Sequence, residues 1–113
     1  MDDRELYGAL LESARSGSPL ALATVVRVKG SVPRDVGSKM LIDVEGRTVG
    51  TIGGGCGEAE VLDAAREVIR SGRPRVVRVD LTEDAESWSP AICGGIMDVF
   101  VEAVRAGDSG GQA

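Results

Sequence analysis

A thiol and a carboxylate lie two residues apart in a glycine-rich segment, Gly53-Gly54-Gly55-Cys56-Gly57-Glu58. Glycine permits positive φ and lets a ligand approach the backbone closely, and a single glycine would be enough for a tight turn. The segment joins an apolar, strand-like run to a helical pattern that begins at Glu58. Unpaired N–H groups and the dipole at a helix N-terminus favour anions, phosphate in particular. The pattern therefore predicts an anion site beside a thiol.

A second thiol borders glycines in Cys93-Gly94-Gly95. The dipole at a helix start lowers a thiol pKa, so Cys56 is a candidate reactive or metal-binding residue. A lone cysteine is also a common small buried side chain, and this interpretation stays open for both thiols.

Glu58 is either a ligand or base beside Cys56 or a stabiliser of the first helical turn. Arg34 and Lys39 either meet an anion or stay solvated.

Several site types are disfavoured by the composition. The glycine segment lacks the third glycine of a dinucleotide-binding G-x-G-x-x-G motif, because Glu58 stands at that position. The chain has no histidine, and two cysteines alone supply only half the usual ligands of a zinc site. A net charge of −5 and 3% aromatic residues argue against nucleic-acid binding. Without a signal peptide or a membrane-length apolar run, we expect a cytoplasmic protein with free thiols.

Apolar periodicity and turn residues predict an α/β fold. The 113 residues suit a single domain, with a core over residues 20–104 and a mobile tail at 105–113. We expect a mixed sheet with a central hairpin and covering helices. The predicted elements are a helix at Asp2–Ser16, a strand at Leu20–Val28 buried on both faces, hairpin strands at Lys39–Val44 and Arg47–Ile52, a helix at Glu58–Arg70, and strands at Arg75–Leu81 and Ile96–Val104.

These motifs, in this order, resemble those of the XdhC/CoxI family, the accessory proteins of xanthine dehydrogenase and of aerobic carbon monoxide dehydrogenase. The resemblance runs from Leu20 to Val104. The segments that carry it are Gly30-Ser31-Val32-Pro33-Arg34, Gly37 with Lys39-Met40, Gly50-Thr51-Ile52-Gly53-Gly54-Gly55-Cys56 with Glu58, and Cys93-Gly94-Gly95.

The resemblance implies a molybdenum-cofactor binding and insertion chaperone without catalytic residues of its own. Such a protein holds molybdopterin transiently, protects it while a partner cysteine desulfurase (sulfurase) supplies the sulfido ligand, and passes it to the apo molybdenum hydroxylase. Cys56 would be a neighbour of the molybdenum, because a thiolate is a soft metal ligand. The cofactor-binding residues implied by the family motifs are Gly53, Gly54, Gly55, Cys56, Gly57, Glu58, Cys93, Gly94, Gly95 and Arg34.

The sequence also departs from the family pattern. Many members carry a second, C-terminal Rossmann-like domain, so we expect a short form with only the N-terminal domain, which either stands alone or pairs with a separate Rossmann-domain chain. Further copies of this chain are also expected partners. Gly57 occupies a position that is commonly bulkier in the family. Two other functions stay open. One is a thiol redox protein that uses Cys56 and Cys93 as a pair, and the other is a non-catalytic scaffold subunit of an accessory complex.

Overall fold

Within the described residues, five strands form one sheet with a helix on each face. A computed structural model of the chain describes residues 3–30, 32, 35–50, 52, 58–80 and 95–104. The strand order across the sheet is β3-β2-β1-β5-β4, and every neighbouring pair is antiparallel. In chain order the elements are α1 (Asp3–Ser16), β1 (Leu20–Lys29), β2 (Lys39–Asp43), β3 (Thr48–Gly50), α2 (Glu58–Ser71), β4 (Arg75–Asp80) and β5 (Ile96–Val104).

The helical spacing of apolar residues in α2 buries one side of this helix against the sheet. Val61, Ala65 and Val68 are fully buried. Glu58 and Glu60 occupy the first turn and Arg70 the last, which suits the helix dipole. This is the main core, and its sheet residues are Ala21, Ala23, Val25, Met40, Ile42, Val79, Met97, Val99 and Val101.

The opposite face of the sheet is covered by α1 in part only. Leu6 of α1 packs on Leu20 and Leu41, and α1 contacts β2 and β3. Side chains alternate between faces along a strand, so the β5 and β4 residues that point away from α2 also lie on this face. Val76 of β4 is one of them, and it is 58% exposed. In the described part of the chain, no helix covers the β5–β4 half of this face.

A β-bulge at Val26 changes which side chains of β1 face α2. Val25 pairs with Val99, but Arg27 pairs with the next residue of β5, Asp98, so Val26 is the extra residue. Before the bulge the odd-numbered residues of β1 face α2, whereas beyond it Val28 packs against that core. The bulge therefore turns Arg27 and Lys29 to the face away from α2.

The predicted α/β domain, its element order and its covering helices are confirmed. Two details of the sheet were wrong. The strand directions are not mixed, because α2 connects β3 and β4, which run the same way but lie at opposite edges of the sheet. The β2–β3 hairpin is at an edge and not at the centre, which β1 and β5 occupy together. Neither described helix is long and apolar enough to cross a membrane.

Candidate functional site

The three segments that contain the predicted site residues attach to the same end of the sheet. Because all neighbouring strands are antiparallel, β1, β3 and β4 end where β2 and β5 begin. We call this the loop end of the sheet. The segment with Arg34 follows β1, the segment with Cys56 follows β3, and the segment with Cys93 joins β4 to β5. The fold therefore attaches all three at this end, those with Arg34 and Cys93 on the neighbouring strands β1 and β5.

The strand register shows how closely these anchors lie. Lys29, the last residue of β1, pairs with Ile96, and Ile96 pairs with Asp80, the last residue of β4. Neighbouring strands are about 5 Å apart, so Lys29 and Asp80 are separated by about 10 Å across β5. The segment with Arg34 therefore leaves the sheet directly beside the point where the segment with Cys93 returns to it.

The glycine segment leaves the sheet at a point further from the loop end than Lys29. Gly50, the last residue of β3, pairs with Met40, which pairs with Ala23 of β1. Ala23 precedes Lys29 by six positions, or about 20 Å along an extended strand. Ile52, just after β3, is fully buried in the core beneath α2. The chain then reaches the start of α2 at Glu58.

The N-terminus of α2 points to the loop end. The helix follows β3, which ends there, and leads to β4, which begins with Arg75 at the opposite end. Its dipole places partial positive charge near the glycine segment. Glu58 and Glu60 in the first turn already offset part of this charge. An anion at this helix start therefore needs further cations.

Such cations are present at the loop end. Lys29 is exposed on the last position of β1, and Arg27 is exposed two residues before it. Lys39 is exposed at the start of β2, where its Nζ donates a hydrogen bond to the carbonyl of Gly37 at 3.1 Å. Arg27 and Lys29 are not among the site residues predicted from the sequence. The signal was the change from an apolar run to alternating cations at the end of β1.

Most of the predicted site residues lie outside the described ranges: Arg34, Gly53, Gly54, Gly55, Cys56, Gly57, Cys93 and Gly94. Glu58 is half-buried at the first position of α2, and Gly95 is buried directly before β5. The redox alternative requires the Cα atoms of Cys56 and Cys93 to lie about 4.4–6.8 Å apart and stays a prediction. The described residues contain no cluster of three or more Asp, Glu, Cys or His that could hold a metal ion.

A cavity lies at the opposite end of the sheet, between α1 and the β2–β3 hairpin. Its volume is about 260 Å³, with an apolar floor and a rim of serines and charged residues. At its rim, burial favours a higher pKa for Asp43, but hydrogen bonds from the backbone N–H groups of Arg47 and Glu45 and from the Arg47 guanidinium lower that pKa below its ordinary value. Glu58 and Gly95, the two predicted site residues that the structure describes, do not line this cavity.

The same architecture is found in a solved structure. A crystal structure described as a xanthine dehydrogenase from Bacillus halodurans matches with a TM-score of 0.76 and 37% sequence identity. The match covers 92% of this chain and 31% of that one. The fold is therefore that of a small α/β module within a longer relative.

The pattern of the XdhC and CoxI family matches residues 13–80, and the chain belongs to this family. Over 107 residues it is 30% identical to the molybdenum cofactor insertion chaperone PaoD of Escherichia coli, covering 93% of this chain and 33% of the relative. It is 35% identical over 101 residues to a probable xanthine dehydrogenase subunit from Bacillus subtilis, covering 88% and 30%. The chain spans about a third of the length of both relatives.

Proposed function

We propose that the chain binds the molybdenum cofactor at the loop end of its sheet and helps to insert it into a molybdenum hydroxylase of the xanthine or carbon monoxide dehydrogenase type. The observation that carries the proposal is the common attachment of the segments that contain Arg34, Cys56 and Cys93. The name of the Escherichia coli relative, a molybdenum cofactor insertion chaperone, supports the same function.

The residues at the loop end fit the chemistry of this cofactor. Molybdopterin carries a phosphate, which suits a helix N-terminus with nearby cations. Lys29 is an exposed cation there, and Arg34 lies in the segment that follows it. The backbone N–H groups of residues 53–57 would hold the phosphate or pterin, with Gly94 and Gly95 approaching from the other segment.

The metal would lie beside sulfur. Thiolates are soft ligands, so Cys56, alone or with Cys93, would be the neighbour of the molybdenum. Glu58 would border the same site from the first turn of α2. When bound, the cofactor supplies the molybdenum centre, and the residues of this chain bind, orient and shield it. The chain acts as a carrier and not as a catalyst.

The carrier function defines its partners. The cofactor must be received in a form that can be sulfurated, so a cysteine desulfurase is one partner, and the apo-hydroxylase is the recipient. A chain or domain with a Rossmann fold, which the family resemblance implies, would be a third. All of them must reach the loop end, where the cofactor would be exchanged.

The proposal is tested by cofactor transfer. The chain is produced in cells that synthesise the cofactor, purified, and incubated with an apo-hydroxylase whose activity is then measured. Wild-type protein restores activity, whereas Gly54→Val and Cys56→Ala reduce the restored activity by about tenfold or more, equivalent to about 1.4 kcal/mol of lost binding.

Gly8→Val is the matched control, because Gly8 lies on α1 and a Cβ added there has open space around it. It transfers the cofactor like wild type. Equal transfer by the Gly54 and Cys56 variants would contradict the proposed site, and no transfer by wild type would contradict the function.

A further inference from the structure

We propose that the β5–β4 half of the sheet face that no described helix covers is a dimer interface, occupied by the same face of a second copy of this chain. This surface, the open face, lies on the side of the sheet away from α2 and next to α1. It is built from three strands, β1, β5 and β4. Its members are Thr24, Arg27, Lys29, Val76, Arg78, Asp80, Ile96, Asp98, Phe100 and Glu102.

The centre of the open face is apolar. Phe100 of β5 pairs with Thr24 on one side and with Val76 on the other, so the three side chains form a row across the strands. Phe100 is the chain's one phenylalanine and is only half-buried, and Val76 is 58% exposed. An aromatic side chain at the centre of a patch with a charged rim is typical of protein interfaces.

Charges of opposite sign lie on the two sides of this row. On the loop-end side, Asp98 pairs in register with Arg27 and with Arg78, and the Arg78 Nε donates to the Asp98 carboxylate at 3.1 Å. The Asp98 side chain is 14% exposed, whereas that of Arg78 is 64% exposed. With two arginines and one carboxylate, the row formed by Arg27, Asp98 and Arg78 has a net positive charge.

On the other side of Phe100, the charge is negative. Glu102 lies two positions further along β5 and pairs with the apolar Leu22. A two-fold axis that lies between two open faces, runs across the strands and passes above Phe100 places Glu102 of each copy over Asp98 of the other, between the flanking Arg27 and Arg78, so that the two arginines balance the two carboxylates. The face is therefore complementary to itself, which is the condition for an isologous dimer.

The edge of the sheet is a weaker alternative for self-association. β4 is an edge strand, but Pro74 precedes it directly, and Arg75, Arg78 and Asp80 are three of its six residues. Proline and charged side chains at an edge oppose strand addition from another molecule. The open face carries the apolar surface that the edge lacks.

Sedimentation velocity over a concentration series tests the interface. We expect wild-type protein to dimerise and Val76→Asp to weaken the dimer by about tenfold or more, because the substitution buries a carboxylate at the apolar centre. Val44→Asp is the control. Val44 is 52% exposed in the β2–β3 turn, away from the open face, and its variant dimerises like wild type.

A charge exchange tests the orientation of the two copies. Glu102→Arg and Arg27→Glu each weaken the dimer, and the double variant regains most of the lost affinity. This result stands even if Val76→Asp fails to fold, which circular dichroism would show. A monomeric wild type, equal effects of Val76→Asp and Val44→Asp, or a double variant weaker than both single variants would overturn the proposal.

Discussion

Lys29 and Ile96 are register partners at the point where β1 ends and β5 begins. The chain leaves the sheet after Lys29 towards Arg34 and returns to it at Ile96 after Cys93. Two segments that are distant in sequence are therefore anchored about 5 Å apart, the spacing of neighbouring strands. The strand order therefore anchors the segments that contain Arg34 and Cys93 at the loop end.

The exposed cation at the end of β1 should contribute to anion binding. Lys29→Gln weakens cofactor binding about 1.4- to fivefold at low salt, since an exposed charge contributes about 0.2–1 kcal/mol. The difference from wild type disappears near 1 M salt because the charge is screened. Fluorescence titration with the cofactor measures both effects. Arg73→Gln, in the turn before β4 at the opposite end, leaves the affinity unchanged, and equal losses in the two variants would exclude a specific contribution of Lys29.

The β2–β3 turn depends on one carboxylate. Asp43 accepts hydrogen bonds from the N–H groups of Glu45 and Arg47, both at 2.8 Å, and from the Arg47 Nε at 2.9 Å. Asp43→Ala lowers the free energy of unfolding by about 1.5–3 kcal/mol at pH 7, the range for hydrogen bonds to charged groups. Urea denaturation measures the loss. Asp63→Ala is the control, because its contact with Arg66 is 3.6 Å long and exposed, and it changes stability by less than about 1 kcal/mol.

The same carboxylate makes stability depend on pH. Its pKa is lower in the folded than in the unfolded protein. Its contribution is therefore complete above the unfolded pKa of about 3.9 and is lost as the pH falls through the folded value. Unfolding free energies measured from pH 6 to pH 2 should fall less steeply for Asp43→Ala than for wild type. Parallel curves would contradict this assignment.

Replacing Gly72 or Gly8 by alanine should change the stability of the protein in opposite directions. Gly72 follows α2 with φ +76° and donates its N–H to the carbonyl of Val68 at 2.8 Å. Gly72→Ala destabilises by about 1–2 kcal/mol, since an L-residue is strained in this conformation. Gly8→Ala, within α1, stabilises by about 0.5–1 kcal/mol. Thermal unfolding of the two variants gives the signs, and a stabilised Gly72→Ala would refute the left-handed helix end.

Met97, on the central strand β5, should be costly to truncate. Met97 is fully buried and pairs with Val28 and Val79 on the neighbouring strands. Met97→Ala destabilises by about 2–5 kcal/mol because it leaves a cavity. Val76→Ala, on the open face, changes the stability of the monomer by less than about 1 kcal/mol. Urea denaturation at a low protein concentration compares them, and similar losses would contradict the assigned faces.

The elements of this fold are predictable from the sequence because each depends on local signals. The apolar spacing of Val61, Ala65 and Val68 defines α2, and Gly46 marks the hairpin turn with φ +87°. The order and direction of the strands depend on long-range pairing, which no local pattern contains. This is why the sheet was predicted to be mixed and the hairpin to be central, whereas every neighbouring pair is antiparallel and the hairpin lies at an edge.

The candidate site was predictable to a similar extent. The motifs around Arg34, Cys56 and Cys93 gave the three segments, and the sheet explains why they attach together. The two cations at the end of β1 were not predicted, because their position depends on the bulge at Val26. Strict alternation would have turned Arg27 towards α2.

The molybdenum and pterin content of the purified chain tests the shared site most directly. The chain is isolated from cells that synthesise the cofactor, and molybdenum is measured by mass spectrometry and pterin by fluorescence. We predict that wild type and Gly8→Val carry both, whereas Arg34→Ala, Cys56→Ala and Cys93→Ala, one variant in each segment, all lose most of them. Full cofactor content in the variants of two or more segments would contradict a single site at the loop end.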